Sequence, residues 1–453
     1  MTRRYLNTLI AIIILVVLWF FFTGWNKHKS RVEQKKEAST AAQKILPLAP
    51  SRVQAFTLTS RDGKTFTLER KGQKGQNGES WNIVSPRPID ADQGKVAGFL
   101  QSLTGATVAQ VVAAHPADLK EFGLDPPGET IRVSANSTPR QFTLLLGDDT
   151  PTSTGAYAQV VGDPRVFTLS TDTKTSLEKT LFDLRDTQVV TLDTDQINRI
   201  VVNSGKQSYT LVKNPEGVWE VSLPPDVRAD HFTVEGLVDS LQSMTMQSIA
   251  SQEKTDGAKY GLAAPAVTIK LTAPGGSQEL LVGKKTSQGY YAMNSALSPI
   301  FTLDQDSVSQ FQKNASDFRD KNLFSWDMFG VHRFAVTTPK GRWAFEQNKN
   351  QWKETAPAAK AASSDNVNAF LSALRGLQAS SFPEAKNGDM NQFGFNHSLY
   401  TVKVNFGSKN QTETAEVAKE GDKIYARRNA DPLPSELTAS DLKSVEDAFN
   451  KLK

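Results

Sequence analysis

Five histidines, His28, His115, His231, His332 and His397, are the first residues to weigh for chemistry. They stand far apart, and none forms the H-x-x-x-H or His-Glu-x-x-His spacing that sets two imidazoles on one helix face for a metal. The chain has no cysteine, which removes thiol catalysis, iron-sulfur clusters and thiolate zinc sites. Neither a Walker loop nor a G-x-S-x-G elbow is present. Gly72, Gly75 and Gly78 give the run Lys71 to Gly78 the look of a phosphate loop, but it lies between two expected strands, so it reads as a hairpin tip. Asp92 and Asp230 occupy equivalent places in two copies of a repeat, yet the third copy carries Ser363 there. Serine caps a helix as well as aspartate does and is useless as an acid, so capping accounts for all three. The expectation is therefore no catalytic residue, no metal and no cofactor.

The repeat itself is the informative feature. The stretch Trp81 to Val133 recurs without a gap 138 residues later as Trp219 to Leu271, and again 133 residues on as Trp352 to Val404. Each copy has the Trp (Trp81, Trp219, Trp352), a Pro five later (Pro86, Pro224, Pro357) and an Ala five after that (Ala91, Ala229, Ala362). Next comes an apolar stripe at i, i+3, i+4, i+7: Val96, Phe99, Leu100, Leu103; then Val234, Leu237, Val238, Leu241; then Val367, Phe370, Leu371, Leu374. That spacing predicts an amphipathic helix, started by Asp92, Asp230 or Ser363.

The elements that must hold these helices are strands. Upstream, Phe56 and Leu58 alternate toward Arg61-Asp62-Gly63 and then Phe66 and Leu68, a hairpin pattern, with the Trp segment as a third strand. Downstream, an aromatic-Gly turn recurs as Phe122-Gly123-Leu124, Tyr260-Gly261-Leu262 and Phe393-Gly394-Phe395, where Gly suits positive φ. More strands follow, then a short closing helix and Arg185-Asp186, matched by Arg319-Asp320, which are read as inter-domain ion pairs. The three Trp are read as core anchors.

These segments predict an α+β chain with three tandem domains, each an antiparallel sheet with two helices, at residues 51–190, 191–325 and 326–453, the last degenerate. At roughly 125 to 140 residues, each copy is large enough to bury its own core. With 38% hydrophobic and 22% charged residues, the composition fits globular domains rather than disorder. Short connections around 191–196 and 325–331 imply a semi-rigid row.

The net charge of +4 belongs to the leader: residues 1–50 hold eight Lys/Arg and two Glu, which leaves −2 on the rest and no electrostatic case for nucleic acid. Arg3 and Arg4 precede Leu9 to Phe22, which has no polar side chain, and Tyr5 to Trp25 would span about 30 Å as a helix. Residues 1–25 read as a transmembrane signal-anchor, with a cleaved signal peptide as the alternative; the segment around Phe22-Thr23-Gly24-Trp25 lacks a small-x-small cleavage pattern. Residues 26–50 read as a polar stalk. The Lys and Arg counted beside the span favour a cytoplasmic body, whereas the signal-anchor form and the lack of Cys favour export. The expected location is a bacterial inner membrane, crossed once, with a periplasmic body.

The order Trp-x4-Pro-x4-Ala-Asp, an amphipathic helix, Tyr/Phe-Gly-Leu with a following Pro (Pro127, Pro265), Tyr-Ala and a closing Arg-Asp resembles the bacterial family called domain of unknown function 4340. The third copy departs from it at Phe395, Ser398 and Ala418, and lacks the closing Arg-Asp. The resemblance implies a single-anchor envelope protein accessory to an ABC-type transport complex, with no catalytic residues to carry over. An envelope binding module for polysaccharide, peptidoglycan or lipid is the alternative, and it requires an exposed aromatic groove. A hydrolase would require a polar cluster in a cleft, drawn from residues distant in sequence.

Overall fold

A computed structural model describes residues 44–453 except 73–78, 137–139, 206, 224–225, 327–329, 385–388 and 430. The expected anchor, most of the stalk, His28 and Pro224 lie outside the described residues. Among those described, no helix is long and apolar enough to cross a membrane.

The first domain runs β1 (Val53–Ser60), β2 (Thr65–Gly72), β3 (Glu79–Ser85), β4 (Ile89–Asp90), α1 (Gln93–Gly105), β5 (Gln110–Ala113), β6 (Glu129–Ala135), β7 (Gln141–Asp149), β8 (Gly155–Val160), β9 (Val166–Ser170), α2 (Thr171–Leu177) and α3 (Leu181–Leu184). Its nine-stranded sheet has the order β4-β3-β2-β1-β6-β7-β8-β9-β5, antiparallel throughout. The chain first builds a four-stranded meander. Helix α1 then carries it across one face to the far edge, and β6 to β9 fill the sheet back from β1.

Alternation decides which face is buried. Phe56 pairs with Leu68 and Val133, and Leu58 with Phe66 and Ile131, so their side chains share one face. The stripe of α1, Val96, Phe99, Leu100 and Leu103, covers that face, and the rings of Phe56 and Phe99 stack 4.8 Å apart. Each of these side chains contributes roughly 1.5–3 kcal/mol by leaving water.

The second domain repeats the plan with β10 (Arg199–Ser204), β11 (Gln207–Lys213), β12 (Trp219–Ser222), β13 (Asp226–Arg228), α4 (His231–Ser243), β14 (Ser248–Ser251), β15 (Val267–Ala273), β16 (Gly276–Lys285), β17 (Gly289–Asn294), β18 (Ile300–Asp304) and α5 (Gln305–Ser309). Its strand order is β13-β12-β11-β10-β15-β16-β17-β18-β14. The third has β19 (Val331–Thr338), β20 (Gly341–Asn348), β21 (Gln351–Ala356), β22 (Lys360–Ala361), α6 (Ser364–Arg375), β23 (Tyr400–Phe406), β24 (Gln411–Glu420), β25 (Lys423–Arg428), β26 (Asp431–Leu437) and α7 (Ala439–Asn450). Its sheet has eight strands, and the place of β5 and β14 is held by a lone bridge, Ser381 to Glu436. The fold class is thus α+β with three antiparallel sheets. The first domain carries three helices rather than the expected two, because its closing segment breaks into α2 and α3.

Two differences concern the connections. Parts of the segments read as linkers are buried, namely Ile45 and Leu46 of the stalk and Thr194 and Trp326 of the connections; Val189 and Val190, and Leu323 and Phe324, just ahead of the two connections, are buried as well. Ile45, Val189 and Leu323 follow equivalent bridges, Lys44 to Thr107, Gln188 to Thr245 and Asn322 to Gln378, so a domain begins several residues before its first strand. The described end of the stalk is therefore core rather than spacer. The alternation in these segments is too short to announce a strand, which is why burial is not evident from the sequence. Second, the chain forms two compact units, one ending at Thr187 and one spanning Gln188–Lys453. The second and third domains are a single body, not separate beads.

Candidate functional site

The repeated signature residues build the fold. Trp81, Trp219 and Trp352 are 7%, 5% and 4% exposed. Trp81 packs on Phe56 and Trp352 on Phe334, with ring centroids 5.3 and 5.5 Å apart. Pro86 and Pro357, both exposed, follow cis bonds. Asp92 accepts from Lys95 N–H at 3.0 Å, Asp230 from Thr233 N–H at 2.8 Å and Ser363 from Asn366 N–H at 3.4 Å, capping α1, α4 and α6. Gly123, Gly261 and Gly394 have φ of 64°, 80° and 75°, which disfavours any residue with a Cβ. The other four histidines do not converge, and among the described residues no group of His, Asp and Glu has metal-site geometry.

Charged side chains do converge at the seam of the second unit. The Arg319 guanidinium sits 2.9 Å from Asp431 Oδ2 in the third domain, donates to the Leu433 and Pro434 carbonyls, and lies over the Phe382 ring. Arg228 lies 2.6 Å from Asp320 and 3.4 Å from Glu413, the first contact an ion pair rather than an aligned hydrogen bond. Both Arg228 and Arg428 donate to the Asn322 carbonyl. Burial, followed by the nearby Arg228 charge, lowers Arg428 to about 10 despite Asp431 beside it. Of the Arg319-Asp320 element expected to pair between domains, Arg319 does so with Asp431 of the third domain, while Asp320 holds Arg228 of its own domain. The seam is a joint, since Arg228, Arg319 and Arg428 are each paired with a carboxylate and largely enclosed there. In the first unit, Arg185 is also buried, and its Nε and Nη1 atoms have no hydrogen-bond partner among the described residues.

The feature with ligand-site character lies in the first domain. A cleft of about 580 Å³ is lined by residues that include Phe66, Pro86, Glu129, Glu178, Lys179 and Leu181. Its volume falls in the range of small-molecule sites. Glu129 opens β6, opposite Ser60 of β1 and Leu146 of β7, and is 6% exposed. Burial pushes its carboxyl up to about 8, with Glu178 and Asp183 pushing the same way, while the Lys179 backbone N–H and ammonium oppose them. No described cation forms a salt bridge with it. Sequence reading missed Glu129 because no motif contains it. The available signal was its place in the repeat: the equivalent residues are Val267 and Tyr400.

A second cavity, of about 510 Å³, lies in the second unit beside Trp219, Arg228, His231 and Phe232. Phe232 is 81% exposed.

Fold and cleft together define an α+β repeat protein whose shared residues are structural and whose raised buried carboxyl, Glu129, belongs to a single copy. The chain matches the family described as Domain of unknown function (DUF4340) twice, over residues 81–224 and 219–385, and it belongs to that family. No curated protein and no solved structure matches it.

Proposed function

We propose that the chain is a membrane-anchored, non-enzymatic envelope protein that acts as a scaffold or accessory subunit of an ABC-type transport complex, held by residues 1–25 with its body in the periplasm. The observation that carries this reading is the fate of the repeated residues. Every described signature side chain is used as core, cap or turn, so what triplication preserved is a shape, not a reaction. The Arg319–Asp431 pair joins the second and third domains within one compact unit, a surface suited to docking. The apolar run Leu9 to Phe22 supports the anchor.

The alternative envelope-binding reading called for an exposed aromatic groove, and the three signature Trp are buried, so it draws no support from them. Affinity purification of the tagged full chain from detergent-solubilised native membranes separates the two. An ATPase and a permease should co-purify and be lost when residues 51–453 are removed. Recovery of lipid or cell-wall fragments alone would overturn the accessory-subunit reading.

A further inference from the structure

One position in the first domain breaks a pattern that its sister domains keep. Along β6, Glu129, Ile131 and Val133 share the core face; β15 places Val267, Ile269 and Leu271 there, and β23 places Tyr400, Val402 and Val404. Val267 is 1% exposed, so the fold accepts a plain aliphatic side chain at this point. A carboxyl buried at the same place loses hydration that the hydrogen bond from the Lys179 backbone N–H only partly returns. Stability of the domain therefore does not explain Glu129.

The cleft over Glu129 does. Its walls include the apolar faces of Phe66, Pro86 and Leu181, and the Glu129 carboxyl lines it between them. The charges at its rim are engaged elsewhere. Lys64 Nζ lies 2.7 Å from Asp62, and Lys179 Nζ donates to the Thr175 carbonyl at 2.9 Å. Glu178 faces Lys174 at 3.4 Å, and Asp183 accepts from the Thr180 N–H and hydroxyl as a helix cap. What remains without a salt bridge among the described residues is the Glu129 carboxyl, which accepts a hydrogen bond from the Lys179 backbone N–H and lines the cleft together with apolar residues. We propose that this cleft binds a small ligand that carries an ammonium group on a compact apolar body, with the ammonium at Glu129. The inference is independent of the scaffold reading.

The chemistry is an exchange of one cation for another. The ligand's ammonium replaces the proton held by Glu129, which passes to solvent. No covalent bond changes. The raised carboxyl fits this exchange, because the proton is still bound at neutral pH and must leave for the ion pair to form.

Isothermal titration of the full chain with cyclohexylammonium, against cyclohexanol and cyclohexanecarboxylate, tests the proposal. The ammonium should bind, the other two should bind at least tenfold more weakly, and heats in two buffers of different ionisation enthalpy should show release of roughly one proton at pH 7. Affinity should fall on the order of 20-fold from pH 8.5 to 6.5, as the fraction of ionised Glu129 falls. Glu129→Gln should lose both the binding and its pH dependence, and Glu129→Val, which copies the second domain, should do the same while remaining folded by circular dichroism. Absence of ammonium binding, equal binding of all three probes, or unchanged binding by either variant would overturn it.

Discussion

Arg319 and Asp431 lie 112 residues apart in sequence and 2.9 Å apart in space, and each side chain is only 3% exposed. Removing one member of such a pair leaves the other charge buried and unmatched, at a cost of about 3–5 kcal/mol. Asp431→Ala should lower the unfolding free energy of the second unit by that amount, read from urea unfolding. Replacing both with apolar residues of similar size, Arg319→Met with Asp431→Leu, should recover most of the loss. If the double variant is no more stable than Asp431→Ala, the pair is not what couples the two residues.

The aromatic-Gly turn makes a second claim. A Cβ on Gly283 would lie 2.3 Å from the Tyr260 carbonyl oxygen, and one on Gly147 would lie 2.2 Å from that of Phe122. Gly283→Ala should cost about 1–3 kcal/mol through forced backbone shifts. The third domain carries buried Ala418 at this place, so its turn has adjusted, and Ala418→Gly should cost no more than about 1 kcal/mol. Parallel thermal melts of the two variants check the asymmetry, and equal losses would contradict it.

Glu129 gives stability a pH dependence of known sign. Its carboxyl, ordinarily near 4.5, is held at about 8 in the folded chain, so between those values the folded state keeps a proton that the unfolded state has released. The associated stability is fully present below about 4.5 and is lost as pH rises through 8, by at most about 1.4 kcal/mol per pH unit. Glu129→Gln should be near parity with the parent at pH 4.5 and clearly more stable at pH 8.5 by urea unfolding. A stability difference that is the same at both pH values would show that Glu129 does not hold this proton.

Topology can be read with a single introduced thiol, since the chain has no cysteine to give background. Phe232 is 81% exposed on α4, so Phe232→Cys should fold and react. With an exported body, a membrane-impermeant maleimide should label it in cells whose outer membrane alone is permeabilised. Labelling only after the inner membrane is broken would place the body in the cytoplasm.

A helix cap supplies the smallest effect. Asp230 accepts from the Thr233 N–H at 2.8 Å, and Asp230→Ala should cost about 1 kcal/mol, whereas Asp230→Ser, as at Ser363 in the third domain, should cost a few tenths. Denaturant midpoints for the two variants test that order.

The sequence by itself determined the local elements and their number. Period-3.6 stripes such as Val96, Phe99, Leu100 and Leu103, period-2 runs such as Phe56 and Leu58, and glycines at positive φ act over a few residues, so their spacing is visible in one chain, and triplication makes it visible three times. Tertiary structure alone decided what depends on residues brought together from far apart. It moved Ile45 of the stalk and Trp326 of a connection into the buried interior, joined the second and third domains through Arg319 and Asp431, and fixed the surroundings of Glu129. A carboxyl in a strand looks the same on either face until the register is known. Ser60 and Leu146 beside it, and the break between α2 and α3 that carries Lys179, are what enclose Glu129, and desolvation there raises its carboxyl.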